Sequence, residues 1–169
     1  ALCGYPPEDL LLRPDFYRAC SRALDDLAGR VEGIASGLAI VVGHPEEHAG
    51  RRYNAATVIE NGHKKAVYRK IRLPNYEVFD EMRYFDAGSE ACVVTLGGVR
   101  CGINICADIW EAGAAELAHG AGAELLLVLN ASPCHLEKHQ QRAQVLGERI
   151  AATGLPAIFH LEFADGRTC

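Results

Sequence analysis

Cys106 closes an alternating apolar run, Gly102 to Ile105, and is followed at once by Ala107, Asp108, Trp110 and Glu111 in the stretch GINICADIWE. A thiol in that place has two readings. It fills core, since free cysteine is among the most buried residue types, or it is a nucleophile held where a strand turns into a helix. On the pleat, Cys101, Ile103 and Ile105 share one face, while Cys106 falls with Asn104 at the point where the strand must turn. Backbone N–H groups at such an elbow can hold a developing oxyanion. A free thiol, with a pKa near ~8.5, is mostly protonated at neutral pH, so a nucleophilic cysteine needs a base or a cation beside it. No Ser-His-Asp or Cys-His-Asn arrangement stands out. Among the cations Lys70 does: it follows the run KAVYR (65–69), where Pro74 keeps the chain irregular and Tyr76, Phe79 and Tyr84 follow. It is either a solvent-facing lysine, the commoner case, or a partly desolvated one available to chemistry.

A metal centre is the other chemistry to weigh. His135 and His139 are four apart on an expected helix with Cys134 adjacent, a spacing that shares one face. Glu137 points away, so the pattern is not H-E-x-x-H, and the expectation is solvated histidines and no metal. His44 and His48 have the same spacing, but Pro45 between them argues against a helix.

The elements that position these residues follow from periodicity. Residues 4–9, GYPPED, form a turn-rich entry. Pro14 to about Val31 reads as a helix with Phe16, Ala19, Ala23, Leu24 and Leu27 on one face. Gly33 to Val42 reads as a buried strand. The runs 53–59 and 65–69 flank Asn61-Gly62, a hairpin signal, and 70–88 is irregular. CVVTL (92–96) and VRCGINI (99–105) flank Gly97-Gly98 as a second hairpin. Trp110 to His119 suits one short helix. Glu124 to Asn130, a continuous apolar run, reads as a strand buried on both faces. Residues 135–153 form a helix with Leu136, Val145, Leu146 and Ile150 inward, stopped by Gly154 and Pro156. Leu155 to Phe159 starts another strand, and the tail LEFADGRTC carries no element. Strands alternate with helices while hairpins intrude, so the expected class is α+β or α/β with mixed sheets.

Composition narrows the function classes. The 169 residues are 49% hydrophobic and 23% charged, with a formal net charge of -5. The Lys and Arg are scattered, which excludes a basic nucleic-acid footprint, and no apolar run is long enough to span a bilayer. Seven cysteines without a C-x-x-C pair fit neither a disulfide framework nor a zinc ribbon. A reducing, cytoplasmic setting is expected.

Two stretches together, YRKIRLPNYEVFDEMRYF (68–85) and GINICADIWE (102–111), resemble the lysine and cysteine motifs of the nitrilase, or carbon–nitrogen hydrolase, superfamily. The extended LPNYEVFDEMRYF, GYPPEDLLLR (4–13) and NASP followed by a lysine and an arginine (130–142) resemble its glutaminase branch within glutamine-dependent NAD synthetases. The resemblance implies an α-β-β-α sandwich. It implies that Cys106 is the nucleophile, Lys70 the oxyanion-stabilising lysine and Glu81 a supporting carboxylate. By the same resemblance the N–H of Ala107 is a second oxyanion donor, and Tyr76, Ser132 and Lys138 bind L-glutamine. The Lys138 assignment departs from the branch, because CHLEK (134–138) replaces its usual aromatic and glycine. No cofactor belongs to such a glutaminase domain; ATP and Mg belong to a synthetase domain that amidates deamido-NAD, and the full-length form is expected to be a homo-oligomer.

The resemblance also implies a catalytic glutamate upstream of the GYPPED segment, which Glu8 does not match. The expectation is therefore a partial domain over residues 1–169, cut at both ends and inactive alone, with the synthetase domain absent. Two rivals stand beside it: another amidase of the superfamily, and a degenerate non-catalytic binding or assembly module. All the catalytic readings require Cys106 and Lys70 to serve one pocket.

Overall fold

Turn chemistry organises the first half of the chain. Asn61 and Gly62 both take positive φ, 51° and 79°, the geometry of the tight hairpin turn whose twist matches its flanking strands. The protein is described here from a computed structural model, and the structure describes residues 1–32, 34, 37–76, 79–131 and 138–162. Two compact units divide at Ser89 and Glu90.

The first unit carries helix α1 (Pro14–Glu32) and strands β1 (Ala39–His48), β2 (Arg51–Glu60) and β3 (His63–Arg69), paired antiparallel in the order β1-β2-β3. Leu24, Ala28 and Val31 of α1 bury against Ile59, with Leu38, Ile40 and Val42 around them. The buried face of α1 is Tyr17, Cys20, Leu24, Ala28 and Val31. This corrects the expected face. Ala19 and Ala23 are exposed, because an alanine gains far less on burial than the tyrosine and thiol that the same helical period turns inward.

β1 also differs from the sequence expectation. Its strand lies at Ala39–His48 rather than 33–42, and Gly33, Ala35 and Ser36 lie outside the described residues. Pro45 sits inside it opposite Asn54. β1 is an edge strand of its sheet, which is where a residue lacking an N–H is tolerated. The segment holding His44 and His48 is thus strand, not loop. His44 is buried; its Nδ1 lies 3.2 Å from the Pro45 carbonyl and its Nε2 2.7 Å from the Thr57 hydroxyl. A carbonyl only accepts, so the neutral ring carries its proton on Nδ1 and Thr57 donates to Nε2. Burial pushes the imidazole below its ordinary value. Above about pH 6.5 both folded and unfolded chains hold His44 neutral. As pH falls the unfolded chain takes the proton first, so stability is lost from there down to the lower folded value. His44→Gln is expected to flatten that acid limb, which urea midpoints at about pH 7.5 and about pH 5 will show. Equal acid losses in both proteins would contradict it.

The second unit carries β4 (Val93–Leu96), β5 (Val99–Ile105), α2 (Ala107–Trp110), α3 (Ala114–Gly120), β6 (Leu125–Asn130), α4 (Lys138–Thr153) and β7 (Ile158–Glu162). The sheet order is β4-β5-β6-β7; the first pair is antiparallel and the other two are parallel. The mixed sheet is as expected. Its core gathers Ile109, Ala115, Ala118, Ala123, Leu126, Val128 and Leu155. Helix α3 packs close over β5 because Gly102 has no side chain: a Cβ there would lie 2.7 Å from Leu126 Cδ2 of β6 and 3.0 Å from Ala118 Cβ.

Three expectations need correcting in this unit. The single helix over 110–119 is two, broken before Gly113, whose φ of 119° only glycine adopts readily. β6 is not fully buried on both faces; burial alternates along it. β7 starts at Ile158, after Leu155 has packed into the core, and reaches into the stretch expected to carry no element. On α4, Val145, Leu146 and Ile150 are half-buried, while Leu136 and residues 163–169 lie outside the described residues. Among the described residues no helix is long and apolar enough to cross a membrane.

Candidate functional site

In the second unit the sheet ends on the thiol. Cys106 follows β5 directly and caps α2 with φ 46° and ψ -101°. A cysteine at positive φ is sterically strained, and such strain costs about 1–3 kcal/mol and persists only where the surroundings over-determine it. They do so here. The Cys106 N–H donates to the Leu129 carbonyl of β6 at 2.8 Å, and its carbonyl accepts the Ile109 N–H at 3.0 Å. Asp108, fully buried, accepts the Ile105 N–H at 2.9 Å and ties the helix back to the strand end. The result is a strand-to-helix elbow with its residue forced outward, the backbone geometry of a presented nucleophile. Cys106 stays partly exposed, whereas Cys20, Cys92 and Cys101 are buried and burial raises their thiols. Those three are packing residues.

The elbow's strain has a measurable consequence. Glycine accepts positive φ at no steric cost, so Cys106→Gly is expected to be more stable than Cys106→Ala by about 1 kcal/mol, the reverse of the usual order. Thermal melts of the two variants test it; alanine being the more stable would mean a relaxed elbow.

Ala107 is buried and opens α2. Its N–H is among those that the first turn of a helix cannot pair internally. It is therefore placed as a backbone donor beside the sulfur's own residue.

In the first unit the chain builds a second chemical centre around Lys70. The lysine follows β3, and its backbone is pinned on both sides: its N–H donates to the Asn54 carbonyl at 2.8 Å and its carbonyl accepts the Gly88 N–H at 2.8 Å. Gly88 must be glycine for that approach, since a Cβ would lie 2.2 Å from the Arg69 carbonyl oxygen. The side chain is 1% exposed, so the solvent-facing reading of this lysine fails. Its Nζ donates to Glu81 Oε2 at 2.7 Å, and Glu81 is 4% exposed. A desolvated ion pair holds only if the remaining lone pairs find donors. The other oxygen of Glu81 has two, the Tyr5 hydroxyl at 2.7 Å and the Asn54 amide at 2.9 Å.

Glu81 opens a short 3-10 turn, Glu81–Arg83, in the segment Pro74 keeps irregular. Its own N–H donates to the Pro74 carbonyl, and the Phe85 N–H donates to its carbonyl. Asp86 then pairs with Arg52 through both N–H groups, so the segment returns along β2 and delivers the carboxylate to the lysine. A cavity of about 210 Å³ opens beside Glu81, lined by Tyr5, Pro6, Leu11, Phe79, Tyr84 and Phe85 among others. Tyr76 stands near it, half exposed, with its ring edge on Phe79 at 5.9 Å.

Ser132 lies outside the described residues. Of Lys138 only the backbone is described, as the first residue of α4. Cys134 and His135 also lie outside them. Among the described residues no group of three or more His, Cys, Asp or Glu side chains is placed to hold a metal ion. Sequence reasoning missed three residues that hold the centres together: Tyr5, Asn54 and Asp108. Asn54 left a trace, as the one amide in the apolar run YNAATVI, and Asp108 another, as an acid beside the thiol.

The likeness to known proteins bears on both centres. A sequence model described as carbon-nitrogen hydrolase matches residues 34–158. A glutamine-dependent NAD(+) synthetase of Xanthomonas campestris pv. campestris is 47% identical over 169 residues, covering 99% of this chain and 30% of the relative. The protein of the same name in Thermotoga maritima is 42% identical over 147 residues, covering 86% of this chain and 25% of the relative. The chain thus spans about a third or less of the curated relatives it matches. Among solved structures, the glutamine-dependent NAD+ synthetase of Acinetobacter baumannii superposes with a TM-score of 0.83 at 35% identity, covering 94% of this chain and 30% of that one. An amidase from Nesterenkonia sp. AN1 superposes with a TM-score of 0.74 at 23% identity, covering 94% of this chain and 62% of that one. That second likeness speaks to the fold, which is the mixed α+β fold expected for the nitrilase class.

Proposed function

The chain belongs to the carbon–nitrogen hydrolase family, and from that premise we propose that it carries the glutamine-hydrolysing centre of a glutamine-dependent NAD synthetase. The observation that carries this reading is the strained elbow at Cys106, a positive-φ conformation held by its neighbours on a residue whose sulfur can act. The names of its relatives supply the substrate class.

The chemistry is acyl transfer in two halves. The Cys106 sulfur attacks the side-chain amide carbon of L-glutamine, forming a C–S bond and placing negative charge on the amide oxygen. The N–H of Ala107 and the ammonium of Lys70 steady that charge. An ammonium has three N–H donors, and Glu81 accepts one of them. A fixed charge in a dry site costs no reorganisation when the oxyanion develops. The C–N bond then breaks, the nitrogen takes the proton released by the thiol, and ammonia leaves a glutamyl thioester. Water adds to the thioester, the C–S bond breaks, and glutamate departs with the thiol restored. Proton transfer in both halves falls to a carboxylate base, to which no residue from Ala1 to Cys169 is assigned. Tyr76, Ser132 and Lys138 are the proposed glutamine contacts. The ammonia goes to an ATP- and Mg-dependent synthetase part that amidates deamido-NAD.

The buried Lys70–Glu81 pair weighs against a non-catalytic module. A desolvated ion pair is costly to keep where an apolar pair would serve stability as well. The deciding experiment is glutamate release from glutamine by the full-length protein with and without Cys106; release that survives Cys106→Ala overturns the reading.

A further inference from the structure

We infer that Asn54 is a positioning residue for the reaction: one strand residue sets both members of the Lys70–Glu81 pair. Its backbone carbonyl accepts the Lys70 N–H at 2.8 Å and its side-chain amide donates to Glu81 Oε1 at 2.9 Å. Glu81 Oε2 takes the Lys70 ammonium at 2.7 Å. The three groups therefore close a ring through Asn54, with the lysine's main chain at one end and its charged tip, by way of the carboxylate, at the other. A carboxylate only accepts, so Asn54 must turn its NH2 toward Glu81. The inference rests on the amide-hydrolysis reading of Lys70 given above.

The placement follows from the pleat. Asn54 lies on β2 directly across from Pro45 of β1, and opposite residues share a face. Pro45 offers no side-chain polar group there, and the amide goes instead to Glu81, while the Asn54 carbonyl holds the N–H of the lysine that follows β3. Without the amide, Glu81 keeps Tyr5 and Lys70 as its side-chain partners among the described residues, and its carboxyl can rotate to give the lysine both oxygens. The ammonium is then drawn toward the carboxylate and away from a developing oxyanion. A misplacement of this kind, carried by a residue that touches no substrate, lowers turnover by about 10- to 100-fold.

Among the described residues, several other ionisable groups lie around the pair. Tyr5 donates to the same oxygen, Glu8, Asp80 and Tyr84 line the adjoining cavity, and Arg52 and Glu47 sit further along the Asn54 face. Arg52 is turned to the Leu11 carbonyl and the Tyr17 ring. His44 and Glu46 alternate to the other face, where Glu46 pairs with Arg69 and His44 with Thr57.

The test is the pH profile of glutamine hydrolysis by the full-length protein and its Asn54→Asp and Asn54→Ala variants. In Asn54→Asp a second carboxyl faces Glu81, and two carboxyls at that distance share a proton. While the proton is held it restores the missing donor; once it leaves, two negative charges compete for one lysine. Expected is near-native kcat at the acid end and a fall of about 10- to 100-fold with rising pH across roughly pH 5 to 8, with KM little changed. Asn54→Ala is expected to lose kcat at every pH without the new limb. An Asn54→Asp profile that overlays the native one, with Cys106-dependent hydrolysis intact, overturns the positioning role and leaves the amide-hydrolysis reading standing. Native hydrolysis that does not depend on Cys106 overturns both. Should Asn54→Asp melt before assay, Asn54→Ser decides. It keeps a shorter donor, and a kcat within two-fold of native, against an expected loss near ~10-fold, overturns the role.

Discussion

Replacing Cys106 by alanine in the full-length protein is expected to lower glutamine-supported NAD formation by at least ~10⁴-fold while ammonia-supported formation stays within about two-fold of native. The two arms separate because the proposed roles are separate. The thiol is needed only to break the glutamine amide; free ammonia bypasses that bond. The elbow is also built from backbone contacts that alanine keeps: the Cys106 N–H to Leu129, its carbonyl to Ile109, and Asp108 to the Ile105 N–H. Alanine therefore preserves the turn and removes the nucleophile alone. Steady-state rates with each nitrogen source make the measurement. Equal loss in both arms would point to structural damage, and glutamine use surviving the exchange would end the proposal.

The two centres differ in how far they can be read without coordinates, and the difference is one of range. Cys106 is legible because its logic is local: the strand period, a thiol, then Ala107 and Asp108 already describe an elbow, and the structure adds the positive φ. The Asn61-Gly62 turn is legible for the same reason. Lys70 is half legible. Its place after a strand is visible, but its burial depends on Glu81, Tyr5 and Asn54, which lie 11, 65 and 16 positions away. Nothing in periodicity joins those residues; the β2–β3 pairing and the returning 74–88 segment do. The errors in the elements have similar causes. Pro45 argues against a helix over 44–48, and the segment is instead the end of an edge strand, which tolerates it. On α1 the alanines of one face looked apolar enough to bury, but Tyr17 and Cys20 on the neighbouring face had more surface to remove from water.

Glu81→Ala is expected to cost about 3–5 kcal/mol of stability, far more than an exposed pair would, because it leaves the Lys70 ammonium in a dry site without its counter-charge. Lys70 and Glu81 are 1% and 4% exposed. The loss also removes the acceptor to which the Tyr5 hydroxyl and the Asn54 amide both donate. Lys70→Met combined with Glu81→Gln removes both charges and leaves an amide oxygen for those donors. The double variant is expected to recover more than half of the loss, since no bare charge remains to be buried. It should nonetheless stay without glutamine-dependent turnover, because the cation proposed to steady the oxyanion has gone. Urea unfolding followed by circular dichroism gives the stability term, and glutamate release gives the activity. A single-variant cost below about 1 kcal/mol would mean that water reaches the pair and screens it. A double variant that regains stability and turnover together would remove Lys70 from the chemistry and leave it a structural group. Stability returning while activity does not is the signature of a charge kept for reaction rather than for folding.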